Sequence, residues 1–255
     1  MTIEFVPVPL TAIRGVIQQH LTGLPAAIDS FLEDHIVESA HYQIRVSGAV
    51  AGYTSIHKGS LITQFALEPF HKHYGQAIYS QVKRLDEVGA AFVPTCDEFF
   101  LSHALDEYHQ LAKQAYFFAA PPFLPDEEPG GFTLRRAEHG DSAIVRERSG
   151  DFFGNIENHI GRQELFLALA DDVCVGFGLM VKSEMAGDVA SIGMYTIERS
   201  RRQGAGTATI RLLMAECRRQ SLRPIAGCWY YNHPSKKTLE RAGMFTQTRL
   251  LRVTY

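Results

Sequence analysis

Met194-Tyr-Thr-Ile-Glu-Arg-Ser-Arg-Arg-Gln-Gly-Ala-Gly-Thr-Ala208 reads as a strand end, a glycine-rich turn and the first turn of a helix. Beyond it Ile210, Leu213, Met214 and Cys217 recur at the i, i+3, i+4, i+7 spacing of one buried helical face, so a helix is expected from Gly206 or Thr207. Gly204 and Gly206 put no Cβ between the backbone and an approaching anion, while the free amides and the dipole at the helix start attract negative charge. Arg201 and Arg202 add charge-assisted donors, and the Thr207 hydroxyl adds another. An ordinary turn with exposed arginines has the same residues, so the surroundings must separate the two readings.

Upstream, Phe132 to Arg136 alternates like a strand, and Asp141 is expected to cap a helix through Arg148. Glu164 to Ala170, Cys174 to Lys182 and Val189 to Thr196 then form a meander, with Asp171-Asp172 as the hairpin turn between the first two. Downstream, Pro224 to Trp229 reads as a strand, Ser235 to Ala242 as a short helix and Phe245 to Tyr255 as a final strand. The order is β-α-β-β-β-α-β-α-β. Between the last two strands stand Asn232-His-Pro-Ser235, Leu239 and Ala242-Gly-Met-Phe245.

Arg201-x-x-Gly204-x-Gly206 resembles the acyl-CoA signature of the GCN5-related N-acetyltransferase (GNAT) superfamily. Asn232-x-x-Ser235 followed by a helix and Gly243-Met-Phe245 resembles its second signature, with Met244 at the usual Phe place. The resemblance implies an α/β (α+β) fold with a mixed, mostly antiparallel central sheet flanked by helices. It also implies an N-acyltransferase that uses acetyl-CoA as co-substrate and lets an amine attack the thioester directly, without a covalent enzyme intermediate. Tyr195, Thr196, Ile197, Arg201, Arg202, Gln203, Gly204, Ala205, Gly206, Thr207, Asn232 and Ser235 would hold the cofactor, with an oxyanion donor among the backbone amides of Tyr195 to Ile197. Asn232 and Ser235 also have an explanation as helix caps. Relatives often place a tyrosine four residues after the serine to protonate the leaving thiolate, and here that position is Leu239. Tyr230 and Tyr231 are the candidate catalytic substitutes, although strand aromatics also serve as core or cleft lining. Asp188, Glu157 or a water chain are open as the base. The acceptor, a small-molecule or peptide amine, would be framed around Phe152 to Glu157. A noncatalytic acyl-CoA-binding or interaction module is the alternative.

Residues 119–131 hold four prolines and two glycines, and they divide a degenerate GNAT-like domain at 1–118 from the acetyltransferase domain at 132–255. In the upstream half His41 to Val46, Val50 to Ile56 and Leu61 to Leu67 look like strands, and Ile78, Val82, Leu85 and Val88 mark one helix. Phe92 to Cys96 reads as a further strand, and Ala104 to Tyr116 as a helix. Lys72-x-x-Gly75-x-Ala77 matches the place of Arg201-x-x-Gly204-x-Gly206, which points to a tandem duplication. Only part of the phosphate cradle survives there, leaving packing, acceptor recognition or a homodimer contact as the jobs open to that half.

Composition sets the outer bounds. A net charge of −3 over 255 residues gives no general attraction to nucleic acid or anionic membrane, and 45% hydrophobic with 21% charged residues is globular. The N-terminus lacks a signal-peptide pattern and no run is long and apolar enough for a membrane helix, so a cytoplasmic chain is expected. The four cysteines lack C-x-x-C spacing, and His71-Lys72-His73 has no third ligand, so no metal site is expected. The third glycine of a dinucleotide fingerprint, the G-x-S-x-G elbow and the P-loop are all missing.

Overall fold

The computed structural model describes residues 2–85, 87–122 and 130–255. These residues form two compact units, the first running to Phe117 with Trp229–Tyr231 and Gln247–Tyr255 added, the second comprising the described parts of Phe118–Cys228 and Asn232–Thr246. Residues 123–129, most of the Pro/Gly-rich stretch expected to divide the chain, lie outside the described residues. No helix among the described residues is long and apolar enough to cross a membrane.

The first unit contains strands β1 (Ile3–Val8), β2 (Ala40–Val46), β3 (Ala49–His57), β4 (Leu61–Leu67) and β5 (Ala90–Pro94), with helices α1 (Leu10–Gly23), α2 (Ser30–Val37), α3 (Gly75–Val82) and α4 (Glu98–Ala104). Strands β1 to β4 are antiparallel neighbours, and β5 joins β4 in parallel at Leu61↔Ala90 and Ile62↔Ala91. One sheet face buries Ile44, Ile62, Phe65 and Val93 with Ile78, Val82 and Phe100 of α3 and α4. Three sequence expectations fail here. The expected helix over 78–88 stops at Val82, leaving Val88 to pack on the core from a loop. The expected helix over 104–116 is instead the end of α4 and strand β6 (Gln110–Ala119). Asp97 caps α4 by accepting the Phe100 amide, which starts that helix early, and Tyr116 to Phe118 are aromatic, buried and strand-forming. Third, β1, α1 and α2 had no counterpart in the reading of the sequence.

In the second unit β7 (Phe132–Arg136), α5 (Ser142–Ser149), α6 (Ile156–Gly161), β8 (Leu165–Ala170), β9 (Val173–Lys182), β10 (Val189–Thr196), α7 (Ala205–Arg219), β11 (Arg223–Trp229) and α8 (His233–Arg241) follow in order. Its strands are ranked β11-β10-β9-β8-β7. Asp171 and Asp172 both take positive φ, at 47° and 61°, as a two-residue hairpin with the right twist requires. The expected stripe on α7 is buried as a set, Ile210, Leu213, Met214 and Cys217 all being fully enclosed. At about 1.5–3 kcal/mol for each large apolar side chain buried, that face suffices to dock the helix. Helix α6 is an addition to the expected order. Asp141 starts α5 without a side-chain cap of its own; it pairs with Arg135 and closes a reciprocal box with Glu138.

The last strand, β12 (Phe245–Thr254), changes the expected partition of the chain. It pairs antiparallel with β5, from Leu250↔Pro94 to Thr254↔Ala90, and residues 247–255 therefore belong to the first unit. Thr95 and Thr248 hydroxyls meet at 2.9 Å beside this ladder. A downstream domain drawn as 132–255 would have kept the strand.

Candidate active site

The site of the second unit begins where two parallel strands part. Strand β10 pairs with β11 only at Val189↔Arg223, Ala190↔Pro224 and Ser191↔Ile225, yet it stays paired with β9 as far as Thr196↔Gly176. Antiparallel ladders alternate, and the Ile197 amide donates to Val175 O at 3.0 Å, so the odd-numbered residues of β10, Tyr195 included, face β9. The amides of Met194 and Thr196 then point to the other side, where pairing with β11 has ended. Of the three amides expected to include the oxyanion donor, those of Tyr195 and Ile197 are engaged in the sheet and that of Thr196 is left facing outward, as is that of Met194, which the sequence did not flag.

Side chains on β10 alternate likewise. The Tyr195 ring packs among Phe152, Phe153 and Phe177, at centroid distances of 5.2, 6.4 and 6.3 Å. Met194 and Thr196 reach the opposite face, toward the start of α7.

After β10 a 3-10 turn at Glu198–Ser200 leads to the glycine turn. Arg202 and Gly204 both sit at positive φ, 64° and 87°, and after this double reversal the first turn of α7 lies against Met194 and Thr196 at the end of β10. Gly204 is the N-cap and offers no side chain, so no side chain caps the amides of Ala205, Gly206 and Thr207. Contrast α2, α4, α6 and α8, each capped by an Asp or Asn. An uncapped fifteen-residue helix is a ready anion site. Arg201, Arg202 and Gln203 are exposed around it, Arg201 Nε donating to Thr196 O at 3.3 Å and Gln203 Nε2 to Arg199 O at 3.0 Å. Gly206 also has a packing reason that the sequence did not suggest. A Cβ there would lie 2.9 Å from Thr196 Oγ1 and 3.2 Å from Thr238 Cγ2, so this glycine lets α7 approach β10 and α8.

Asn232 accepts the Ser235 amide at 3.2 Å and so caps α8. Leu239, at the place of the family's tyrosine, is 2% exposed and belongs to the core. Tyr230 and Tyr231 are residues of the first unit. There the Tyr230 ring stacks on Tyr116 at 4.5 Å with Lys113 Nζ 4.9 Å from its centroid, and Tyr231 is more than half exposed. The Tyr116 hydroxyl and Lys113 lower the Tyr230 pKa below the usual phenol value. Both carboxylates open as a base are tied to arginines: Glu157 to Arg146 at 2.6 Å and Asp188 to Arg223 at 2.6 Å. Those bonds hold both carboxyls below their ordinary pKa, the opposite of the upward tuning a base needs near neutrality.

The upstream counterpart is built differently. Strands β4 and β5 also part after two residue pairs, but a 3-10 turn at Pro69–Tyr74 runs straight into α3. Gly75 has ordinary helical φ, and a Cβ on it would overlap the His103 imidazole. A side chain occupies the place of the cradle.

Family models agree with this geometry in both halves. Residues 10–120 match an acetyltransferase (GNAT) domain and residues 105–244 match the acetyltransferase (GNAT) family. The chain belongs to the GNAT acetyltransferase family. Among solved structures, an acetyltransferase of the GNAT family from Colwellia psychrerythraea is similar over 100% of both chains, with a TM-score of 0.85 at 17% identity. A GCN5-related N-acetyltransferase from Sphaerobacter thermophilus is similar over 99% of this chain and 95% of its own, with a TM-score of 0.65 at 15% identity. A tandem GNAT protein from the clavulanic acid biosynthesis pathway is similar over 100% and 98%, with a TM-score of 0.56 at 14% identity. At these identities the likeness concerns the fold, a tandem arrangement included. No curated protein matches significantly. As a GNAT chain, the protein carries the uncapped helix in one half and the blocked one in the other.

Proposed function

We propose that the second unit is an N-acyltransferase that uses acetyl-CoA and passes the acetyl group directly to an amine. The observation that carries this reading is the uncapped start of α7, which follows the left-handed Arg202 and Gly204 and lies against Met194 and Thr196, beyond the point where β10 leaves β11. The amides of Ala205, Gly206 and Thr207 with Arg201, Arg202 and Gln203 would receive the pyrophosphate, and the outward amides of Met194 and Thr196 would serve the pantetheine carbonyl or the developing oxyanion. The uncovered Phe152 ring beside Tyr195 offers an apolar wall for the acceptor. With Leu239 buried and Glu157 and Asp188 held by arginines, unaided departure of the thiolate, whose pKa is about 8–9, fits better than protonation by an enzyme acid. The amine would then give its proton to water. Only the second unit is assigned a cofactor, because His103 stands against Gly75 in the first.

Calorimetry with acetyl-CoA, followed by thiol release over a panel of small and peptide amines, tests the reading. Binding with turnover is expected; binding without turnover on any amine supports the noncatalytic module, and no binding removes both.

A further inference from the structure

Side chains on β10 divide the two faces of the sheet. Met194 and Thr196 reach toward the start of α7, whereas Tyr195 between them packs with Val145 of α5, Phe153, and Ile156 and Ile160 of α6 on the other face. A cofactor lying against α7 occupies the first face, so an amine reaches the acetyl carbon from the second.

That second face ends in an aromatic wall. Phe177 is fully buried, Phe153 meets it edge-on at 6.1 Å, and Tyr195 stacks beside it at 6.3 Å. Phe152 extends the wall outward, 5.2 Å from Tyr195 and 4.9 Å from Phe153, with 59% of its surface open. The connection between α5 and α6 holds it there. Gly150 and Gly154 take φ of 56° and 58°, and a Cβ on either would meet nothing within 4 Å, so backbone conformation rather than packing requires glycine on both sides of Asp151-Phe152-Phe153. Single exposed apolar side chains are common, but this ring adjoins half-buried Tyr195, whose neighbours Met194 and Thr196 present the outward amides.

Charge offers a weaker handle here. Glu157 is bonded to Arg146 and Glu147 to Arg148, which leaves exposed Asp151 as the carboxylate of the connection. One exposed ion pair strengthens binding about fivefold at most, whereas covering half of the open Phe152 ring contributes about tenfold or more.

We infer that the acceptor of the second unit is a primary amine carrying an aromatic or similarly bulky apolar group, which lies on the Phe152 and Tyr195 rings, and that Phe152 sets this preference. The inference rests on the acyl transfer proposed above. The amine nitrogen forms its bond to the acetyl carbon as the thioester C–S bond breaks, the sulfur keeps the electron pair, and the displaced proton goes to water.

Thiol release by the full-length protein at saturating acetyl-CoA, with rates expressed per neutral amine, tests this with phenethylamine, ethylamine and 1,4-diaminobutane. The kcat/KM for phenethylamine is expected to exceed that for each of the others about tenfold or more. In Phe152→Ala the phenethylamine-to-ethylamine ratio should fall by about tenfold, through the phenethylamine KM rather than its kcat. Phe152→Leu keeps part of the apolar surface and should lose less; it carries the test if the alanine variant does not fold. Equal or faster turnover of ethylamine or 1,4-diaminobutane, or a ratio unmoved by the Phe152 variants, overturns the inference and leaves acyl transfer standing. No turnover with any amine overturns both.

Discussion

Gly206→Ala separates a packing role from a ligand role at the glycine turn. The new methyl carbon would stand 2.9 Å from Thr196 Oγ1, 3.2 Å from Thr238 Cγ2 and 3.6 Å from Met194 Sδ. The first contact forces a shift, and neither threonine has a long side chain to swing away; the Thr238 hydroxyl is also bonded to Pro234 O at 2.9 Å. Overpacking of this kind costs about 1–3 kcal/mol. Replacing a helical glycine returns about 0.5–1 kcal/mol at most, and less this close to the helix start. Net destabilisation of about 1–2 kcal/mol is expected from urea unfolding. Thr238→Ser removes the Cγ2 contact but keeps the hydroxyl, so in that background the loss should shrink. Acetyl-CoA affinity, measured by calorimetry well below the unfolding transition, should fall with the displacement of α7 from β10. A Gly206→Ala protein as stable as the parent, or stabilised by the amount helix propensity alone would give, refutes the packing argument.

Four further outcomes follow from neighbouring geometry. Gly204 has nothing within 4 Å of a Cβ but sits at φ +87°, so Gly204→Asn should retain more acetyl-CoA affinity than Gly204→Val; equal losses would mean the ligand itself needs the space. Gly75→Ala should destabilise the protein while leaving acetyl-CoA affinity unchanged, and should do so less in a His103→Ala background; loss of affinity with the fold intact would place cofactor in the first unit. Glu216, held by Arg219, Gln220 and Arg136, has its pKa lowered from 4.5 to about 2, so its contribution is present above pH 4.5 and disappears as pH falls through about 2. Glu216→Gln should flatten the unfolding free energy over that window, and an unchanged slope counts against the pairing. Proteolysis is expected to cut first within 119–131, yet the two fragments should co-elute in native chromatography because β12 is laddered to β5; separate elution would contradict the shared strand.

Much of the second unit could be read from the chain because its signals are local. Apolar residues at helical spacing on α7, alternation along β8 to β10 and two aspartates at a turn depend only on near neighbours, and the structure keeps all three. Strand pairing is not local. Nothing in Phe245 to Tyr255 says that its partner is β5, more than 150 residues earlier, because an alternating strand fits any edge of matching burial. The failure at 104–116 has a similar cause: Leu111, Ala112 and Ala115 suit a helix as well as a strand, and only burial of Ala115 to Phe118 within the sheet decides. At the site, the glycines were visible, but their separate reasons were not. A positive φ at 204 and a close approach at 206 both read as Gly, and a backbone amide such as that of Met194 leaves no trace in residue identity.

The two halves together show what turns a strand-to-helix junction into an anion site. Both have parallel strands that part after two or three residue pairs, and both begin the following helix near a glycine. Glycine content alone therefore does not decide. In the second unit Arg202 and Gly204 adopt left-handed backbone and break the chain between the 3-10 turn and α7, which leaves the first amides of α7 without a side-chain cap. In the first, neither Tyr74 nor Gly75 has positive φ, the Gly75 amide is already bonded to Lys72 O, and the His103 ring, fixed by Nδ1 to Phe99 O at 2.7 Å, closes over the glycine. Neither helix has a side-chain cap, so the left-handed break and the absence of a ring over the turn make the difference. A loop graft that replaces 72–75 with 201–204 would still leave His103 in place, so restoring an anion site to the first unit requires removing that ring as well.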